Sequence, residues 1–453
     1  MRDSGNFLQA ALACLHDPYV AAFLQRRQAP HGRYTPNLWS VWLVALLALS
    51  VVGVLSFGLY HGIYHLFADA AHNQTPRKLV DINDVIKTTV TVLTLTGAVL
   101  AGIYAYRKQL LAEGDAHRAD ASQLADRYTT ASEQLGHERA AVRLAGVYAL
   151  ARLADDWQEQ RQVCVDVLCA YLRMPYEANP TAAGHKEGER EVRHTIIRVI
   201  RDHLQQPEER TSWTDCDLDF TGAVFDGGDF SGSHFRSRVV FTGATFGSGR
   251  VAFKAATFSG AIDFKGATFN GAKVDFGDAT FSGGGVYFGG AMFSDGQVHF
   301  LGATFSDGQV HFGLAEFSGA TVDFSLAAFS GGKVNFSGAT VSNGVVGFRH
   351  VAFSGARVTF SRAAFSGGTI NFSRAAFSGG TVSFKGAAFS GARATFRRAV
   401  FSSGTVDIGS AEFSGGAVIF TDARLLGGTV DFANTTFNGT AVSWGPVPHP
   451  PDA

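Results

Sequence analysis

Residues 329–341 read FSGGKVNFSGATV. Phe329 is followed seven residues later by Phe336, and five residues after that, where another Phe is due, stands Val341. The alternation reaches far beyond this stretch. Phe276, Phe288, Phe300, Phe312, Phe324, Phe336, Phe348, Phe360, Phe372, Phe384 and Phe396 are all twelve apart, and Ile408, Phe420, Phe432 and Trp444 extend the series. A second series, from Phe281 to Phe437, runs five residues behind the first. Val mostly stands two residues before the first series, as in Val274 and Val322, and Ala two before the second, as in Ala279 and Ala327. On an extended chain residues two apart share a face. Each Val–Phe and Ala–Phe pair therefore points inward together, and the residue between points out. Glycine supplies the permissive dihedrals of the turns. One such unit cannot bury its apolar side alone, whereas stacked units can, so the spacing predicts a β-solenoid. The five and the seven read as two corners of one coil, the wider one made by Gly and Ser.

Upstream, DFTGAVFDGGDFSGSHF (219–235) places Phe220, Phe225, Phe230 and Phe235 five apart, with Leu218, Ala223, Gly228 and Ser233 two residues before each. The segment resembles the pentapeptide-repeat family, and the resemblance extends over roughly 216–444. It implies a right-handed four-sided β-helix with four pentapeptides per coil. Two of the twelve-residue units would then make one 24-residue coil, giving about nine coils and ~45 Å of length. A flattened coil of 12 residues is the rival reading, because it pairs large residues with small ones. No feature alternates cleanly at 24, and the variant SGA recurs at 318, 354 and 390.

The rest of the chain reads differently. Residues 38–60, LWSVWLVALLALSVVGVLSFGLY, carry no charge, and 88–106, TTVTVLTLTGAVLAGIYAY, form a second apolar run. Both are expected to cross a membrane as helices. Basic residues at Arg2, Arg26, Arg27, Arg33, Arg107, Lys108 and Arg118, against Arg77, Lys78 and Lys87 between the runs, place both termini in the cytoplasm. Helical spacing at Val142, Leu144, Val147, Leu150 and Leu153 and in QEQRQVCVDVLCAYLRM is loosely similar to HEAT-type helical hairpins. The expected fold is α+β and multidomain. It comprises a cytoplasmic amphipathic segment (1–37), a transmembrane hairpin (38–106), a helical domain (107–210), the β-solenoid (211–445) and a disordered Pro-rich tail (446–453). This order resembles bacterial membrane-anchored pentapeptide-repeat proteins, which implies a multi-pass location in the cell membrane.

No catalytic, cofactor or metal set stands out. Cys14, Cys164, Cys169 and Cys216 are scattered without metal-ligand or disulfide-framework spacing. His61, His65 and His72 read as interfacial polar residues, and His299 and His311 as a surface ladder from duplication. There is no phosphate-cradling Gly-x-x-x-x-Gly-Lys-Ser/Thr loop. The chain is expected not to be an enzyme.

Charge carries the functional hint. Net charge is −1, yet between Phe324 and Val406 there is no Asp or Glu, while Lys333, Arg349, Arg357, Arg362, Arg374, Lys385, Arg393, Arg397 and Arg398 form a candidate basic interaction surface. Upstream stand Asp263, Asp275, Asp278, Asp295, Asp307, Glu316 and Asp323. The reading is a membrane-anchored, non-catalytic interaction scaffold offered to a protein partner or to anionic lipid headgroups, with association of copies through the solenoid end. Some pentapeptide-repeat proteins mimic DNA and bind DNA gyrase with an acidic rod. A tethered gyrase- or nucleic-acid-directed effector is the alternative; the basic stretch departs from the acidic rod that gyrase mimicry requires, while nucleic acid phosphates are among the anions it could attract.

Overall fold

The computed structural model describes residues 43–54, 57–58, 82–306 and 309–447. The chain divides into two compact units, 1–125 and 126–453. In the first unit residues 43–54 are helical, and a long helix, α1 (Ile82–Leu135), begins there.

The two expected membrane spans are overturned. Among the described residues no helix is long and apolar enough to cross a membrane. Only 43–54 and 57–58 of the first run are described, and a helix of about 12 residues rises about 18 Å against a hydrocarbon core of ~30 Å. The second run is not a separate element. It is part of the 54-residue α1, which continues through Arg107, Lys108 and further charged residues. Five threonines between 88 and 96 dilute its apolar character. Two of them, Thr91 and Thr94, donate to the carbonyls of Lys87 and Val90 at 2.8 Å. The fold is thus helices followed by a β-solenoid, and the multi-pass membrane location with cytoplasmic termini loses its basis. The expected 1–37 segment, the basic residues up to Lys78, Cys14, His61, His65, His72, Asp307 and the tail from 448 lie outside the described residues.

In the second unit three helices follow α1: α2 (Ala140–Asp156), α3 (Arg161–Arg173) and α4 (Glu189–Leu204). Their stripes of Val147, Leu150, Leu153, Leu168, Leu172, Ile196 and Ile200 are buried. α3 packs on the strand Leu218–Asp219 and α4 on Gly228–Asp229. The second contact explains a glycine. Gly228 has φ +146, and a Cβ there would lie 3.0 Å from Cδ1 of Ile197. Trp213 is fully buried and stacks on His203 with centroids 4.1 Å apart. The helices therefore cover the first coil of the solenoid.

The solenoid rests on four ladders of apolar residues. One begins at Phe220 and continues through Phe241, Phe264, Phe288 and Phe312; the others begin at Phe225, Phe230 and Phe235. Rings one coil apart stack nearly parallel, as at Phe288–Phe312, with centroids 4.7 Å apart and planes within 1°. Rings of neighbouring ladders meet edge-on, as at Phe288–Phe300. Such pairs contribute about 0.5–1.5 kcal/mol each beyond their burial. Val341 interrupts the Phe225 ladder between Phe317 and Phe365 and remains buried.

All strands pair in parallel, and the register decides the coil length. Phe269 pairs with Phe293 and Phe305 with Phe329, a step of 24 residues, which excludes the 12-residue coil. The first coils are shorter: Phe225 pairs with Phe246, 21 residues on, and Phe246 with Phe269, 23 on. The growth lies in the links after the Phe225 and Phe235 ladders. Phe225 to Phe230 takes five residues, and Phe235 to Phe241 and Phe258 to Phe264 take six, whereas the links from Phe269 onward take seven. The five-residue steps after the Phe220 and Phe230 ladders never change.

The two steps are also different in kind. The five-residue step is a tight turn that carries the chain from one parallel sheet to the other. The seven-residue link stays within a sheet, and in Met292–His299 and Ala376–Ser383 it is one continuous bulged strand. Glycine belongs there for lack of room: a Cβ on Gly380 would lie 2.1 Å from the Ala356 carbonyl oxygen of the preceding coil.

Candidate functional site

Each tight turn has a fixed chemistry. The carbonyl of the ladder Phe accepts from the amide three residues on, as in Ala363 N to Phe360 O at 3.0 Å. The second residue after Phe has positive φ, +69 at Gly222 and +58 at Arg362, which is the geometry of a type II turn. A residue other than Gly or Asn is strained there by about 1–2 kcal/mol. Where the residue before Phe is Asp or Asn, its side chain can accept the amide of the residue after Phe. Asp263, Asn335, Asn371 and Asp407 do so for Lys265, Ser337, Ser373 and Gly409 at 2.8–3.0 Å. Several upstream aspartates are thus turn caps as well as surface charges. Asp275 is one: burial works to raise its carboxyl, while the Gly277 amide and Arg250 bring it below the usual range.

The nine candidate basic residues do not form one face. Arg349, Arg374, Arg397 and Arg398 lie on the tight turns after Phe348, Phe372 and Phe396, and His350 joins them. Arg362 and Lys385 lie on the other tight turn of the coil, after Phe360 and Phe384. Lys333 and Arg357 pair side by side in one sheet. Arg393 lies in the other sheet, next to Thr369. The structure therefore brings four of the nine together and spreads five over the remaining sides.

Their partners differ from those upstream. Arg250 meets Asp275 at 2.6 Å, Lys254 meets Asp278 at 3.9 Å and Lys265 meets Asp263 at 3.9 Å. Among the nine, the described residues place a carboxylate within reach of Arg398 alone, Asp422 at 3.4 Å. Arg374 instead has His350 Nε2 at 3.4 Å. His299 and His311 do not form a common ladder. They belong to different sheets, and His311 stacks on Tyr287 with centroids 5.4 Å apart.

A second polar cluster joins the helices to the first coil. Asp226 is buried and accepts from Tyr176 Oη at 2.7 Å and from Arg190 Nε at 2.9 Å, with His194 Nε2 also 2.9 Å away. Burial acts to raise its pKa, but the hydrogen bonds of His194 and Tyr176 and the charges of His194 and Arg190 prevail and hold it at about 2. A cleft of about 460 Å³ beside it is lined by His194, Arg198, Arg201, Asp229 and Arg250. Arg201 and Arg250 are matched there by Asp229 and Asp275, so the cluster reads as a joint. Burial pushes the thiols of Cys164 and Cys216 up to about 11 and that of Cys169 to about 12, which leaves them poor nucleophiles. Among the described residues no group of three or more His, Cys, Asp or Glu could hold a metal ion.

The sequence reading missed the turn code. Its signal was present: Gly recurs two residues after Phe, and Asp, Asn, Ser or Thr one residue before it.

Residues 253–308 match the family of pentapeptide repeats (9 copies). No curated protein matches the chain. A solved structure of QnrB1, a plasmid-mediated fluoroquinolone resistance protein, is similar at 18% identity over 50% of this chain and 78% of that one, with a TM-score of 0.14, too low for the likeness to carry an argument. The chain thus contains pentapeptide repeats wound into a β-solenoid.

Proposed function

We propose that the chain is a non-catalytic interaction scaffold whose solenoid presents the 324–406 stretch to an acidic protein partner. One observation carries this reading. Among the described residues the early cations Arg250, Lys254 and Lys265 meet carboxylates one coil away or two residues away, whereas of the nine later ones, on the same backbone, Arg398 alone does. Unmatched like charges on a rigid frame repel one another, and an acidic partner relieves that repulsion. The test is a photo-cross-linking residue placed at Ser373 and, separately, at Gly289 in the full chain, in the cells that make it. A recurrent protein adduct from 373 that weakens at raised salt supports the scaffold. Absence of any adduct from either position sinks it. Nucleic-acid or gyrase direction is the competing reading, and the basic corner favours it as far as phosphates would also be held there. Inhibition in a supercoiling assay with the full chain would decide for it.

A further inference from the structure

We infer that one corner of the coil, carrying Leu326, His350, Arg374 and Arg398, is the recognition edge, and that its ligand is an acidic α-helix with an apolar end. This rests on the scaffold reading above and assigns it a place and a ligand shape.

The first observation is backbone strain without a packing reward. All four residues occupy the positive-φ position of the tight turn, at φ +61, +55, +58 and +58. The same position is glycine in Gly266, Gly290, Gly302, Gly338 and Gly386, so the fold accepts glycine there. Leu326 is 60% exposed, so its side chain gains little from the protein that strains it. The opposite corner has Leu314 and Arg362 in the same conformation but alternates them with glycine; strain kept without a break at exposed positions in four successive coils points to a surface that something else uses.

The second observation is charge. Among the described residues Arg374 has no carboxylate within salt-bridge distance, and its guanidinium lies instead against the His350 ring. Arg349 and Arg397, one residue earlier in their turns, broaden the same edge. Asp422, paired with Arg398, closes the basic run.

The third is spacing. Successive rungs lie one inter-strand distance apart, ~4.8 Å. An α-helix offers a carboxylate on one face once per turn, every ~5.4 Å. An extended peptide offers one every ~6.7 Å, and a nucleic acid strand a phosphate every ~3.4 Å of duplex axis. The helix fits the ladder best. The order of the rungs adds direction, because Leu326 precedes the cations and so calls for an apolar residue one turn away from the acidic ones.

The experiment uses the full chain and a labelled Ala-based helical peptide with Glu at three- and four-residue spacing and one Leu a turn beyond. The comparators are the same composition broken by Pro, and a DNA duplex. Fluorescence anisotropy reads binding to the parent, to Arg374→Gly with Arg398→Gly, and to Arg362→Gly with Lys385→Gly on the opposite corner. Glycine is the residue these turns favour, so neither variant endangers folding, and a melting curve confirms it. The edge variant is expected to bind about tenfold more weakly, and the opposite-corner variant within about twofold of the parent. Leu326→Gly should weaken binding about threefold. Equal loss in both double variants overturns the edge and leaves the scaffold standing. Tighter binding of the Pro-broken peptide or of the duplex overturns the helical ligand. Failure of every anionic probe to bind overturns the scaffold reading as well.

Discussion

The coils before Phe324 and those between Phe324 and Val406 share one interior and differ outside. Phe276–Phe300 and Phe372–Phe396 stack with centroids 4.8 and 5.0 Å apart and planes within 4° in both regions. Outside, Arg250, Lys254 and Lys265 of the early coils each meet a carboxylate, and the later coils leave Lys333, Arg349, Arg357, Arg362, Arg374, Lys385, Arg393 and Arg397 without one among the described residues. The core is therefore indifferent to what the surface carries.

The largest expected effect tests the uniform interior. Phe300→Ala and Phe372→Ala should each cost about 3–5 kcal/mol in denaturant unfolding. A large gap between the two would mean that the halves are not built alike.

The second effect falls on the joint. Asp226→Asn should lower stability by about 2 kcal/mol, because the folded protein holds the carboxyl near 2 against an ordinary value of 3.8. The folded pKa is depressed, so this contribution is whole above pH 3.8 and is lost as pH falls through about 2. Acid melts of parent and Asn variant should converge in that window, and the convergence should not depend on the basic coils.

These expectations rest on features that were unevenly visible in the sequence. The Phe ladders were legible because inward positions repeat the same bulky residue. The choice between 12 and 24 was not. Phe288 and Phe300 have the same local pattern, and only pairing shows that they lie in different ladders. The five-residue step reads as a corner and is one, whereas the seven-residue link, which reads as a wider corner, stays within a sheet. Gly-Gly marks the long link, while the tight turn hides its left-handed residue behind Arg362, Arg374 or Leu326, where glycine would have marked it. The nine basic residues read as one surface in a linear sequence, which does not say which side of the coil a residue faces. The membrane spans rested on charge-free apolar runs and their basic flanks, and the 88–106 run proves to be part of a longer helix that continues through charged residues.

Two smaller effects refine the comparison. Val341→Phe should restore the interrupted ladder and stabilise by about 1 kcal/mol in thermal unfolding, unless the neighbours Phe317 and Phe365 have already closed over the site. Gly302→Arg should destabilise by about 1 kcal/mol, and Arg374→Gly should stabilise by about as much, both through the positive-φ turn position. If the two do not mirror each other, the turns of the two regions are not equivalent.

The 24-residue register joined to a 12-residue pattern has an evolutionary consequence. Gain or loss of a whole coil leaves every later side chain on its original side. Gain or loss of half a coil keeps the interior intact, since the two halves are interchangeable inside, but swings everything downstream to the opposite side. The SGA variant recurs 36 residues apart, a coil and a half, at 318, 354 and 390. It accordingly alternates between the two sheets. Copying in half-coil steps gives such a chain a way to relocate an outward edge in one event while keeping the apolar pattern of the interior.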